Sequence, residues 1–272
     1  MERVLRLKTK KITFLPMSQL LPSAISAIKA IINRSLDRSE EMWNSTMGKV
    51  AFSHRLDEET ETNIPGHPYL KDNEYKSDEF IAMMVDMRDS TKHLRQAISA
   101  RIASVSEMKR VFFEVSALLP AVAKVIRDED GAVTEYLGDG ALALFQLPKE
   151  KSPREKAIYS ATRASQKCLH ALKECINPIL FERYGLPPIQ IGIGLAFSDA
   201  IITKFGLRPE TQVKVIGECV YFASNLSKGR NEIFVHEWLE NMWPTGEKGM
   251  IRFSKKSKFA DVDGFLLEEN QS

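Results

Sequence analysis

The sequence predicts an α+β fold built on a mixed or antiparallel sheet. Three observations carry that reading. Apolar runs of strand length recur from Phe80 onward, stretches of helical period fall between them, and several neighbouring strands are close enough in sequence to form hairpins.

Taken in chain order, residues 18–38 carry Ile25, Ile28, Ile31 and Ile32 at helical spacing. A polar stretch, HRLDEETETN, followed by Pro65, Gly66, His67 and Pro68, predicts a loop or lid over residues 54–76. Residues 1–76 are therefore expected to be an N-terminal extension packed on a main domain of residues 77–272. FIAMMVDM reads as a buried strand that ends in an aspartate, and MRDST leads from it into a helix continued by KHLRQAISARI. Residues 106–127 have helical period, with Pro120 expected to kink or break the helix. The DEDG at 128–131 is a turn, and AVTEYLGDGALALFQ a hairpin turning on Gly138, Asp139 and Gly140. Residues 153–176 form an amphipathic helix with Pro153 at its start and Pro178 beyond its end. IQIGIGLAF puts Ile189, Ile191, Ile193 and Leu195 on one strand face, and AIITKFG follows as a second strand or hairpin arm. VKVIG reads as a strand and ECVYFASNLSKG as a helix. IFVHEWLENMW fits either, and IRFSK with FADVDGFLLEE predicts a closing hairpin.

Bulk properties narrow the function classes. A net charge of +2 over 272 residues gives no global basic field, which argues against a nucleic-acid partner. No apolar run approaches the roughly 18 residues of a membrane span, and no long apolar region follows the basic MERVLRLKTKK, so it does not read as a secretory signal. Cys168, Cys175 and Cys219 lack CxxC spacing, which argues against disulfides and zinc and for a cytoplasmic protein. Cys168 and Cys175 share a helical face and read as core. The five histidines show no metal-ligand spacing, and His170 is expected to face solvent. Lys255, Lys256 and Lys258 read either as an edge-strand guard or as a functional cationic cluster.

Two carboxylates stand out. Asp86 ends an apolar strand and Asp139 tips a Gly-Asp-Gly turn, so a central strand beside a central hairpin would bring them together. Each also has an ordinary structural reading, as a helix N-cap and as a turn residue. Two carboxylates held close need a neutralising cation. Hard oxygen ligands of this kind suit Mg²⁺ or Mn²⁺, with the shell completed by substrate phosphates. The strand-to-helix passage from Met87 through Asp89, Ser90 and Thr91 offers a helix N-terminus to a triphosphate.

These segments resemble a family. FIAMMVDMRDSTKHL is similar to the first-strand metal motif of class III adenylyl and guanylyl cyclases, and EYLGDGALALF to their central hairpin. IQIGIGLAFSDAIITKFG and VKVIGECVYFASNLSKG are similar to later segments in the same order. The resemblance covers about residues 78–270 and implies a ferredoxin-like cyclase core acting as a head-to-tail homodimer. It implies two divalent ions per active site, Mn²⁺ or Mg²⁺, held by Asp86, Met87 and Asp139, and direct attack of a ribose 3′-OH on the α-phosphorus. It places Glu135 and Lys214 at the base-reading positions, Tyr221 where the family orients the ribose with asparagine, and Asn225 where it uses a transition-state arginine. Lys228 or Arg230 then stands as the substitute cation. Neither purine-reading pair of the family is reproduced. The altered pocket is similar to the bacterial pyrimidine cyclases of Pycsar anti-phage systems, which implies UTP or CTP as substrate and a cyclic product that acts on a separate effector. Glutamate accepting from N3–H and lysine donating to a carbonyl favour UTP. A nucleotide sensor without turnover is the rival reading, favoured by Asn225.

Overall fold

The longest apolar run lies at the centre of the sheet as β3 (Tyr75–Met87), with β5 (Gly140–Gln146) antiparallel on one side and β6 (Ile191–Phe205) antiparallel on the other. The computed structural model describes residues 19–44, 59–71, 74–95, 105–206, 211–244 and 251–269. Beyond β5 lies β4 (Ala132–Tyr136). Beyond β6 come β8 (Glu232–His236), β10 (Val262–Glu269) and β9 (Ile251–Phe259), while β7 (Gln212–Gly217) pairs with the far half of β6. The β6–β8 pairing is parallel and the others are antiparallel, so this eight-stranded sheet is mixed.

Successive side chains of a strand point to opposite faces, which splits each central run between two cores. Ile81, Met83, Val85 and Met87 join one cluster, with Ile191, Ile193 and Leu195 from β6. Helices α1 (Pro22–Asn44), α3 (Glu107–Asp128) and α4 (Lys151–Ala171) cover that face, contributing among others Ile28, Phe113 and Cys168. Phe80, Ala82 and Met84 join the other cluster with Leu142, Leu144 and Ile202. It is covered by α6 (Glu218–Leu226) and by a hairpin of β1 (Glu59–Ile64) and β2 (His67–Lys71) through Ile64 and Leu70. The segment expected as a loop or lid is thus largely a β-hairpin. Its sequence hid this because only Ile64 and Leu70 reach the core, while the intervening positions are polar. The N-terminal region therefore packs on both faces of the sheet, and β3 already begins at Tyr75.

Other elements depart from expectation for local reasons. Pro120 does not break α3, because Leu118, Ala121 and Val122 around it are packed in the core and tertiary burial outweighs the missing hydrogen bond. The helix from Lys151 does not stop before Pro178. It passes through a π-helical turn, Leu172–Ile176, and continues as α5 (Asn177–Tyr184), ending at left-handed Gly185. Asn177 N–H donates to the Leu172 carbonyl five residues back, a widened turn that accommodates the proline ring at the start of α5. IQIGIGLAF and AIITKFG form one continuous strand, β6, paired to β3 from Ile191 to Thr203. IFVHEWLENMW holds both elements, β8 and then α7 (Glu237–Asn241). Short α2 (Ser90–Arg95) carries the start of the expected KHLRQAISARI helix, whose remainder lies outside the described residues.

His170 is half-buried, with its Nδ1 enclosed and without a hydrogen-bond partner among the described residues, which corrects its solvent-facing assignment. The C-terminal strand reaches this side of α4, where Gln166 Nε2 donates to Glu269 Oε1 at 3.1 Å. Lys256 lies on edge strand β9 and pairs with Asp263 of β10 at 3.1 Å. No described helix is long and apolar enough to cross a membrane.

Candidate active site

Register brings the two predicted aspartates together. Asp86 stands opposite Gly140 of β5 and Gly192 of β6, and Asp139 precedes Gly140 in a turn that needs left-handed Gly138 at φ +71°. The Asp139 carbonyl accepts the Met87 N–H at 3.4 Å, tying turn to strand. The Met87 side chain is buried in the core, so what Met87 can offer a cation is its main-chain oxygen.

Glycines on β6 decide what else reaches Asp86. A Cβ on Gly192 would lie 2.0 Å from the Ser227 carbonyl oxygen, and one on Gly194 would lie 2.0 Å from that of Ala223. With no side chain at either position, the end of α6 and the loop after it rest directly on the strand. That loop brings Lys228 toward Asp86 and presents the Ser227 carbonyl to Arg88. Arg88 Nη2 lies 2.8 Å from Asp86 Oδ2, and its Nη1 donates to Ser227 O at 2.9 Å. Burial pushes the Asp86 carboxyl above its ordinary value, Arg88 pulls it down, Asp139 pushes it further up and Lys228 pulls it down, with a net upward shift. Arg88 was missed in the sequence reading. Its signal was its place two residues after Asp86, just past the end of the strand.

The remaining candidates separate into groups. Asp89 adopts a left-handed conformation at φ 62° and pairs with Arg230 at 2.6 Å and Lys92 at 2.9 Å. Arg230 first, then Lys92, hold its carboxyl well below the usual range. Arg230 also donates to Gln190 Oε1 at 2.9 Å, so its cation is directed to Asp89 and Gln190. Ser90 and Thr91 open α2. Glu135 of β4 and Lys214 of β7, 79 residues apart, form an ion pair at 2.6 Å and line a pocket of about 430 Å³. Tyr221 is 55% exposed on α6, and Asn225 Nδ2 donates to the Tyr221 carbonyl at 3.0 Å within the same helix.

Among the described residues, no three His, Cys, Asp or Glu side chains converge as a metal group. Two interacting carboxylates, with the Met87 main-chain oxygen next in sequence to Asp86, nevertheless fit a hard divalent ion of the Mg²⁺ type, which commonly takes one or two carboxylates and completes its shell with water and substrate phosphates. The upward pressure on Asp86 is what a cation there would relieve.

No protein-family model and no curated protein matches the chain. Solved structures do. The guanylyl cyclase Cya2 superposes with a TM-score of 0.54 at 19% identity, covering 72% of this chain and 95% of its own. The adenylyl cyclase CyaB from P. aeruginosa gives 0.57 at 15%, covering 73% and 97%. The non-canonical dimeric guanylyl cyclase domain of the RhoGC fusion protein from Blastocladiella emersonii gives 0.53 at 13%, covering 73% and 99%. With Asp86, Gly140 and Gly192 in register on neighbouring central strands, the chain has the α+β fold of the class III nucleotide cyclase catalytic core.

Proposed function

We propose that this chain is a pyrimidine nucleotide cyclase, a phosphorus–oxygen lyase that converts UTP to 3′,5′-cyclic UMP and pyrophosphate. The observation that carries the reading is the juxtaposition of Asp86 with Asp139 at the sheet centre, in the same chain as a separate Glu135–Lys214 pair. Asp86, Asp139 and the Met87 carbonyl are the groups that would hold divalent ions, two per site. Such ions, Mn²⁺ or Mg²⁺, supply charge neutralisation at the phosphates and acidity at the ribose 3′-OH.

The protein's own groups do the rest. Arg88 orients Asp86, and Lys228 adds positive charge beside it for the triphosphate. Asp89 orients Arg230, while Ser90 and Thr91 open the helix that faces the phosphates. The ribose 3′-OH gives its proton to solvent water, its oxygen attacks the α-phosphorus, the bond from that phosphorus to the oxygen bridging to the β-phosphorus breaks, and pyrophosphate carries away the electron pair. Asn225 directs its amide to its own helix, so Lys228 takes the part of the missing arginine.

Base reading falls to Glu135 and Lys214. Parted by a uracil, the carboxylate accepts from N3–H and the ammonium donates to a carbonyl. A cytosine would offer its N4 amine to the same glutamate, which keeps CTP as the alternative substrate. A hydrogen bond to a charged group contributes about 1.5–3 kcal/mol, so Glu135→Ala and Lys214→Ala should each lower kcat/KM for UTP by roughly 10- to 100-fold. The loss should be larger for UTP than for ATP or GTP. Equal losses on all four nucleotides would mean that the pair supports the fold rather than reads the base.

The head-to-tail homodimer is part of the proposal. Ile201 and Ile216 are cross-strand partners on the β6–β7 arm and are 46% and 53% exposed, an apolar surface that suits a second copy. Tyr221 would complete the site across that interface. The three free, buried cysteines suit a reducing cytoplasm. Cyclic UMP would act there as a second messenger on a separate effector protein in anti-phage defence. The rival reading, nucleotide binding without turnover, draws on Asn225 alone.

A further inference from the structure

The pocket at the Glu135–Lys214 pair has three walls, and one comes from the N-terminal segment. Thr60, Thr62 and Asn63 of β1 line it together with Glu135 of β4 and Lys214 of β7. A volume of about 430 Å³ lies toward the lower end of small-molecule sites, which run from about 300 to 1,000 Å³. The placement of β1 is built in rather than incidental. Ile64 and Leu70 of its hairpin are buried in the sheet core. His67 Nε2 lies 3.2 Å from Asp78 Oδ2, which also accepts from Gln146 Nε2 at 2.7 Å. Hydrophobic contacts and polar ties thus hold the hairpin to β3 and β5.

The local geometry of β1 separates its pocket residues. Its register with β2 is irregular between Glu61 and Ile64, the kind of bulge that re-aims side chains beside functional sites. The Thr62 hydroxyl is used inside the hairpin, donating to the His67 carbonyl and accepting the Ile64 N–H, each at 2.8 Å. No side-chain hydrogen bond joins Thr60 or Asn63 to another described residue, yet both line the pocket. Two strand edges therefore flank the ion pair. The outer edge of β7 is not paired to another described strand, and β1 pairs only with β2 among them.

We propose that β1 completes the nucleobase pocket around Glu135 and Lys214, and that Thr60 and Asn63 make it selective for a pyrimidine over a purine. This rests on the cyclase reading for the identity of the nucleotide, but the pocket itself stands on geometry. With β1 in place a six-membered base would meet the ion pair, Thr60 and Asn63 on the same pocket lining would crowd the second ring of a purine, and the Asn63 amide would supply both a donor and an acceptor to a pyrimidine edge.

The test compares the full-length protein with Thr60→Ala, Asn63→Ala and the double variant. Affinities for UTP, CTP, ATP and GTP are measured by calorimetry with Mn²⁺, and kcat/KM is measured for the same four. The double variant should shift the purine-to-pyrimidine ratio toward purines by about tenfold in both readouts, the size of one lost hydrogen bond with its steric exclusion. Its melting temperature should stay near that of the wild type, because neither side chain bonds to the rest of the described fold. An unchanged ratio in the double variant, when the wild type binds or turns over nucleotide, overturns the proposal. Binding with a shifted ratio but no cyclic product from any nucleotide overturns the cyclase reading and leaves the pocket assignment standing. A wild type that binds no nucleotide overturns both.

Discussion

Replacing Asp86 or Asp139 with asparagine is expected to abolish cyclic nucleotide formation, by on the order of 10³-fold in kcat/KM, without unfolding the protein. Asparagine keeps the size and one acceptor oxygen but removes the charge that would hold a divalent ion and balance the phosphates. For Asp86 the stability outcome has a definite sign. Burial, with Asp139 adding to it, leaves its folded-state carboxyl above the ordinary value of 3.8 despite Arg88 and Lys228. A carboxyl raised in this way binds its proton more tightly in the folded chain. Its contribution is therefore most favourable in acid and is lost as pH rises from the ordinary value through the raised one. At neutral pH, Asp86→Asn should melt at the same temperature as the wild type or higher, with the difference narrowing as pH falls toward 4. A variant that lost activity together with several degrees of melting temperature at pH 7 would show that the aspartate serves the fold instead.

The second large effect is on stability. Gly194→Ala should cost on the order of 3 kcal/mol or more, seen as a lower urea midpoint and poor recovery of folded protein. The added Cβ would sit 2.0 Å from the Ala223 carbonyl oxygen and 2.9 Å from the Ser227 amide nitrogen, all main chain that no rotamer change can move. To make room, α6 would have to lift from β6, taking Tyr221, Asn225 and the Lys228 loop with it. Gly138→Ala is the natural contrast. Its Cβ meets nothing within 4 Å, so only the left-handed backbone at φ +71° opposes it, at about 1–2 kcal/mol. Equal costs at the two positions would contradict the tight seating of α6 on the sheet.

The parts of this architecture that were legible in the sequence are those in which hydrophobic period and turn chemistry agree. FIAMMV and ALALF are unbroken apolar runs beside tight turns, and their register is what sets Asp86 opposite Gly140. Interactions between distant residues were less visible. The polar ETETN of β1 looks like a loop because its hairpin buries only Ile64 and Leu70. SDA within β6 looks like a turn, yet continuous pairing with β3 keeps the strand extended. A proline near a helix end looks like a stop, and only the π turn before it lets the chain continue. The Glu135–Lys214 pair spans 79 residues, so period and composition could not join its members, and only resemblance to a family placed them in one site.

The most direct test of the central claim is to incubate the purified protein with UTP, CTP, ATP and GTP separately in the presence of Mn²⁺ and to identify the products by mass after chromatography. Cyclic UMP and pyrophosphate are expected in equal amounts from UTP, with less cyclic product from CTP and little from either purine, all lost in Asp86→Asn. A cyclic purine as the main product would contradict the base assignment, and the absence of any cyclic product from all four would contradict the enzyme itself.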